Sequence, residues 1–284
     1  MNYYIKIMLA TTICSHTAFA QEADSTGLPG DNFSLTGALE MFKKSSSPEQ
    51  FEQLINAQDN NVNNLDLNDD GNTDYIKVID KKDGDAHAFI LQSVVSETEN
   101  QDIAVIEVEK QKDGKAALQI VGDPDIYGEE LIVEPTAQNV ESDTPAKKQV
   151  QVNVWAWPSV RYVYGPAYSV WVSPWGWRAR PVWYHPWHPV RWHAFYPYRN
   201  PYRNHYVVVH HHTVVHAHRV YTPVRTTSVT VQTRHQASVN NYRATRTTQT
   251  VTTQGRHGHS KTVRRTSTVH GKKATAKTAR ARKN

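Results

Sequence analysis

Acidic and basic residues occupy different parts of this chain. All 27 acidic residues lie at or before Asp143, whereas every arginine lies at or beyond Arg161. The formal net charge of +5 is therefore the average of an acidic first part and a basic second part without carboxylate side chains. A single globular surface rarely separates its charges in this way, so we expect two regions with different partners. Residues 136–150 are polar, lack apolar periodicity and are predicted to link the two regions.

Residues 1–20 have the pattern of a secretory signal peptide. Lys6 precedes a short apolar run, and Ala18-Phe19-Ala20 forms a small-residue cleavage pattern. Cleavage after Ala20 removes Cys14, the only cysteine, so we expect neither a disulfide nor a thiol nucleophile in the mature chain. No later stretch is long and apolar enough to cross a membrane. We therefore expect a secreted protein of the periplasm, the outer membrane or the cell surface.

Residues 33–135 are predicted to form one acidic α+β domain, preceded by a flexible N-terminus over 21–32. Two amphipathic helices with serine N-caps, Ser34 and Ser47, come first. Segments of strand-like character follow over residues 75–80, 86–95, 102–110, 116–122 and 130–134. Asp-Gly pairs between neighbouring strands are typical of tight hairpins, so the sequence predicts an antiparallel meander after the two helices.

The segment DLNDDGNTD (66–74) places oxygen-bearing side chains at alternate positions of a tight loop. The candidate calcium ligands are Asp66, Asn68, Asp70, Asn72 and Asp74. Carboxylate and amide oxygens suit calcium, and the glycine at the sixth position permits a sharp turn. An EF-hand has a bidentate glutamate where this chain has Lys77, so the segment resembles the loop-then-strand calcium sites of dockerin-like and integrin-propeller repeats. The alternative is a turn whose side chains bind their own backbone.

Residues 151–203 combine tryptophan, proline and basic residues at high density. All eight tryptophans lie between Trp155 and Trp192, and eight of the fourteen prolines lie between Pro158 and Pro201. Proline at this density predicts an extended or turn-rich backbone. The predicted surface-binding residues are Trp171, Trp175, Trp177, Arg178, Arg180, Trp183, Trp187, Arg191 and Trp192. Aromatic rings suit a boundary between water and apolar material, and arginine both stacks on rings and pairs with phosphate.

The absence of acidic residues from this aromatic region favours an anionic partner. Lipid headgroups, lipid A, acidic polysaccharide and extracellular DNA are the candidate surfaces or polyanions. The alternative is that the rings pack on the acidic domain or on each other, with the basic tail paired to the acidic part of the same chain.

Residues 204–233 are rich in histidine, valine and threonine and are predicted to be β-prone. In one strand over 210–218, the side chains of four histidines would share a face: His210, His212, His216 and His218. Imidazoles so placed bind zinc, copper or nickel, although the spacing of a closed structural zinc site is absent. Residues 234–284 have few large apolar side chains and are predicted to be a disordered basic tail.

The sequence contains no constellation typical of an enzyme. A nucleophile elbow, a phosphate-binding glycine loop and an HExxH motif are all absent, and Glu107 and Glu109 share a strand face as on a solvated edge. We predict a non-catalytic envelope protein that binds an anionic surface, with a periplasmic metal-binding or metal-buffering protein as the alternative. The layout, with GDPDIYGEELIVEP (122–135) followed by a tail containing SPWGW, is similar to a group of uncharacterised secreted bacterial envelope proteins. That resemblance implies an envelope location and no particular activity.

Overall fold

The computed structural model describes residues 25–136, 152–199, 201–254, 260–270 and 273–275. The predicted signal peptide and almost all of the predicted linker lie outside the described residues. The described chain combines helices with antiparallel sheet, which confirms the predicted α+β class.

A six-stranded antiparallel meander forms the centre of the fold. Its strands pair in chain order and are β1 (Ile76–Asp83), β2 (Ala86–Val94), β3 (Asn100–Lys110), β4 (Ala116–Gly122), β5 (Leu131–Pro135) and β6 (Tyr206–Val209). Gly84 and Gly114 adopt positive φ angles of 56° and 78° in the first and third hairpins, where a tight turn needs a left-handed residue. β6 comes from the histidine-rich segment and extends the sheet beyond β5, with Val209 opposite Ile132.

The described α-helices are α1 (Leu35–Lys44), α2 (Pro48–Ile55), α3 (Pro124–Tyr127), α4 (Pro158–Val163), α5 (Trp192–Arg199), α6 (Val215–Tyr221) and α7 (Val229–Thr245). α1 and α2 pack on one face of the six-stranded sheet and α6 packs on the other. The side chains of Ser34 and Ser47 accept backbone N–H groups at the starts of α1 and α2, as N-caps do. On one face Phe89 of β2 joins the core of α1 and α2, and on the other Ile90 packs with Tyr221 of α6.

The aromatic region packs against the acidic domain, which corresponds to the alternative considered from the sequence. Apart from α4 and α5, its described backbone consists mainly of turns, isolated bridges and irregular segments. Val154 and Val160 are buried in the main core, and Pro158 occupies the first turn of α4, where the missing N–H of proline is tolerated. The N–H of Asp80 donates to the carbonyl of Trp171 at 2.8 Å. Pro158 thus lies where proline is compatible with a helix, and apolar side chains such as Val154 and Val160 attach the region to the core.

The described part of the basic tail begins with the end of α7. Ser228 caps α7 by accepting the N–H of Val231, and Val231 and Val239 are buried. A second antiparallel sheet follows, with strands β7 (Arg246–Gln254), β8 (Ser260–His270) and β9 (Lys273–Thr275). The prediction of disorder over 255–259, 271–272 and 276–284 lies outside the described residues.

Among the described residues, none of the helices combines the length and the apolar character that crossing a membrane requires.

Candidate functional site

Glu52 of α2 anchors the aromatic region to the acidic domain. Its carboxylate is buried and accepts the hydroxyl of Tyr75 and the N–H of Val78, both within the domain. It also accepts the Ser173 hydroxyl at 2.7 Å and the indole N–H of Trp171 at 3.4 Å. Burial raises the pKa of Glu52, and these four donors oppose that rise.

Asp80 on β1 forms a second anchor. Its Oδ2 lies 2.7 Å from the hydroxyl of Tyr168, which donates to it, and 2.8 Å from Nδ1 of His87. Asp80 and His87 are fully buried, and the His87 ring packs edge-on against Tyr164. The anchors on Glu52 and Asp80 thus hold residues 164–173 by specific hydrogen bonds as well as by ring packing.

The loop at 66–74 forms a third contact with the aromatic region. The N–H of Thr73 donates to the carbonyl of Trp187 at 2.8 Å, and the hydroxyl of Tyr184 donates to the carbonyl of Thr73 at 2.7 Å. Nδ1 of His188 lies 2.6 Å from the carbonyl of Gly71. The predicted calcium loop is therefore also a docking surface for residues 184–188.

The oxygens of this loop are largely engaged with backbone groups. Asp66 accepts the N–H groups of Asp70 and Gly71, and Asp70 accepts that of Asn72. Asn68 likewise accepts the N–H of Asp70, and Asp74 accepts the N–H of Leu67. Each of the five predicted positions therefore takes part in the turn. This is the pattern of the alternative turn interpretation.

Electrostatics disfavour tight cation binding at this loop. Within the described chain, Asp66, Asp70 and Asp74 do not form a group whose carboxylate oxygens all lie within 4.8 Å of one another. Arg180 lines the same 200 Å³ cavity as Asp70 and Asp74, and its positive charge opposes a second cation there. Burial raises the pKa of Asp74 to about 7. Calcium binding at the loop stays a prediction.

The nine predicted surface-binding residues divide into two groups. Four are exposed, namely Trp177, Arg178, Trp183 and Arg191, and five are half-buried, namely Trp171, Trp175, Arg180, Trp187 and Trp192. Arg180 lies over the ring of Tyr75 at 5.2 Å, and Arg178 forms an ion pair with Glu97. The region therefore uses some rings to attach to the domain and presents others outward.

The histidine-rich segment is not the single strand considered from the sequence. β6 ends at Val209 and α6 begins at Val215, so the four histidines do not share a face. His212 and His218 stack with their ring centroids 3.8 Å apart, and one ligand atom from each lies within 4.8 Å of the other and of a Glu107 oxygen. His216 pairs with Asp83 at 3.0 Å instead.

His210 is exposed and lies outside the Glu107–His212–His218 cluster. Glu107 is fully buried, so its interpretation as part of a solvated edge is wrong. α6 covers that face of the sheet. The spacing of Val214, Ala217 and Tyr221 in the sequence is typical of the apolar face of such a helix.

Comparisons with known proteins found no family model, no curated protein and no solved structure that matches this chain.

Proposed function

We propose that the protein is a non-catalytic protein of the cell envelope and that the outward side of its aromatic region binds an anionic surface. The observation that carries this proposal is a concentration of exposed apolar side chains. Of the twelve large apolar side chains exposed in the described residues, eight lie within residues 162–198. We call these the outer aromatic set: Tyr162, Val170, Val172, Trp177, Val182, Trp183, Val190 and Tyr198.

The exposed fractions of the outer aromatic set support a role beyond packing. They run from 39% for Trp183 to 94% for Val182, although neighbouring residues such as Ser173 and Tyr184 are buried. Single exposed apolar residues are ordinary, but their accumulation in one short region is typical of interaction sites. Indole rings at a membrane surface settle at the level of the headgroups.

Charge supports an anionic partner. Arg161 and Arg191 are exposed within the same region, and no acidic residue follows Asp143 anywhere in the chain. Attraction to phosphate acts over the Debye length, about 10 Å at 0.1 M salt, and weakens as salt rises. Insertion of apolar side chains into the interface adds a short-range contribution that depends less on salt.

The test is co-sedimentation of the full mature chain with lipid vesicles. We expect binding to phosphatidylglycerol-containing vesicles at low salt, much weaker binding to phosphatidylcholine vesicles, and partial release at high salt. Separate binding assays with lipid A, an acidic polysaccharide and DNA identify which anion the protein prefers. The full chain is required because residues 152–209 are built into the fold of the acidic domain.

A double variant, Trp177→Ala with Trp183→Ala, is expected to lose the salt-resistant part of binding and to keep the salt-sensitive part. The matched control is Val215→Ala with Val229→Ala, because these side chains are exposed but lie outside the outer aromatic set. Failure of the parent protein to bind any of the four anions at low salt would refute the proposal. So would equal effects of the two double variants.

A further inference from the structure

Glu107 is a carboxylate buried between the sheet and α6. It lies on β3 directly opposite Gln119 of β4, and its side chain is fully shielded from solvent. A buried carboxylate is costly unless hydrogen bonds and a positive charge compensate it. Glu107 receives an N–H of Gln119 and lies 2.8 Å from Nδ1 of His218, while no lysine or arginine of the described chain pairs with it. A bound cation would supply the positive charge that no lysine or arginine of the described chain brings to Glu107.

Gln119 determines which nitrogen of His212 carries a proton. Its Oε1 accepts the backbone N–H groups of Thr213 at 2.8 Å and Val214 at 3.1 Å, so the amide cannot be reversed. Its Nε2 therefore donates, and it faces Nδ1 of His212 at 3.0 Å. The lone pair of His212 thus lies on Nδ1, and the proton of the neutral ring lies on Nε2.

Glu130 completes the surroundings of His212. Its Oε2 lies 3.3 Å from Nε2 of His212, in position to accept that proton. Histidines that bind metals usually donate their other N–H to a carboxylate or carbonyl in this way, which orients the ring and strengthens the ligand. A metal ion would take the Nδ1 lone pair that Gln119 now occupies.

The imidazoles of His212 and His218 already lie together at this carboxylate. Their ring centroids are 3.8 Å apart, and one ligand atom from each lies within 4.8 Å of the other and of a Glu107 oxygen. A divalent cation held by these three groups would stabilise the ionised form of the buried carboxylate.

Two imidazoles and one carboxylate are ligands for zinc and its neighbours among the transition metals. The side chains of His212 and His218 are 22% and 21% exposed, so an ion can enter and water can fill a fourth position. We propose that Glu107, His212 and His218 form a site for one divalent transition metal, Zn²⁺ in the first instance, and that the ion fastens the histidine-rich segment to the sheet. The site takes two of the four predicted histidines and adds a carboxylate from the acidic domain.

The test is calorimetric titration of the full mature chain with Zn²⁺, repeated with Cu²⁺. We expect one site clearly tighter than the background binding of the other histidines. Glu107→Gln keeps the shape of the side chain, and His218→Gln removes one imidazole. Each variant is expected to weaken Zn²⁺ binding by more than about tenfold, because losing even a residue that only orients a metal ligand lowers metal affinity by about that factor. Co²⁺ bound at the site should give visible absorption typical of a four-coordinate ion.

His210→Gln and His216→Gln are the matched controls, because both lie in the same segment but outside the cluster. We expect them to retain the tight site. Circular dichroism verifies that each variant is folded, and His218→Gln, at a half-buried position on α6, keeps the test decisive should Glu107→Gln unfold. If the controls lose as much affinity as the cluster variants, or if both cluster variants bind Zn²⁺ like the parent, the proposal is wrong. Neither outcome depends on whether the outer aromatic set binds an anionic surface.

Discussion

The hydroxyl of Ser173 donates a 2.7 Å hydrogen bond to Glu52, so the acid-free part of the chain completes a buried carboxylate of the acidic part. The same relationship recurs throughout the fold. Six buried carboxylates form hydrogen bonds with side chains beyond residue 160. The pairs are Glu40 with Tyr206, Glu52 with Ser173, Asp80 with Tyr168, Asp102 with Tyr221, Glu107 with His218 and Asp123 with Arg225. Because no arginine precedes Arg161, the acidic part lacks its strongest hydrogen-bond donor. The part of the chain beyond residue 160 thus supplies hydrogen-bond donors to buried carboxylates, mostly as hydroxyl groups, and Arg225 adds a positive charge at Asp123.

Ser173→Ala should loosen the aromatic region. Removing the hydroxyl leaves Glu52 with one donor fewer, which we expect to lower the free energy of unfolding by about 1 kcal/mol. Limited proteolysis within residues 158–192 should become faster. Ser169→Ala is the control, since Ser169 is exposed in the same region. Equal stability of the two variants in urea denaturation would contradict the anchoring role of Glu52.

Arg225→Met should destabilise the protein much more than a comparable change at the surface. Arg225 donates two hydrogen bonds to Asp123, at 2.6 Å and 2.8 Å, and the Asp123 side chain is fully buried. Removing the guanidinium leaves that carboxylate without its counter-charge, at an expected cost of about 2–3 kcal/mol. Arg178→Met removes an ion pair between two exposed side chains, Arg178 and Glu97, and should cost under about 1 kcal/mol. Urea denaturation compares the two, and similar losses would contradict this ranking.

The sequence predicted the parts of the fold that local patterns encode. Serine caps, alternation of apolar residues and Asp-Gly turns correspond to α1, α2 and the strands β1 to β5. These features act between neighbouring residues, so they can be read without knowing the rest of the chain.

The docking of the aromatic region could not be predicted in the same way. Ser173 and Glu52 are 121 residues apart, and nothing near either residue indicates the other. The same is true of the cluster: His212 and His218 were candidates, but Glu107 joins them only because α6 packs on the face of the sheet that carries it. Glu107 was assigned to a solvated edge because alternation shows which residues share a face and not which face is covered.

Calcium should have at most a small stabilising effect on the protein. If the loop at 66–74 binds the ion, millimolar calcium should raise the midpoint of thermal unfolding, because a ligand of the native state stabilises it. We expect affinity no better than the millimolar range, since the loop oxygens already bind backbone N–H groups and Arg180 lies nearby. Asp66→Asn should abolish the shift, and Asp59→Asn, at an exposed aspartate elsewhere in the domain, should keep it. Absence of any shift in the parent protein would leave only the turn interpretation.

Asp74 should make the protein less stable as pH rises from about 4 to 7. Burial raises its pKa to about 7, whereas the unfolded chain has an ordinary value near 4. Between these values the folded state binds more protons than the unfolded state, so the contribution of Asp74 to stability is greatest below about pH 4 and is lost as pH rises through about 7.

Asp74→Asn keeps an oxygen that can accept the N–H of Leu67 and the hydroxyl of Ser93, but its side chain cannot ionise. Denaturation midpoints from pH 4 to 8 should therefore fall less steeply for Asp74→Asn than for the parent, and the variant should be the more stable of the two at pH 8. The control Asp59→Asn should follow the parent, and parallel curves for Asp74→Asn and the parent would show that Asp74 ionises normally in the folded protein.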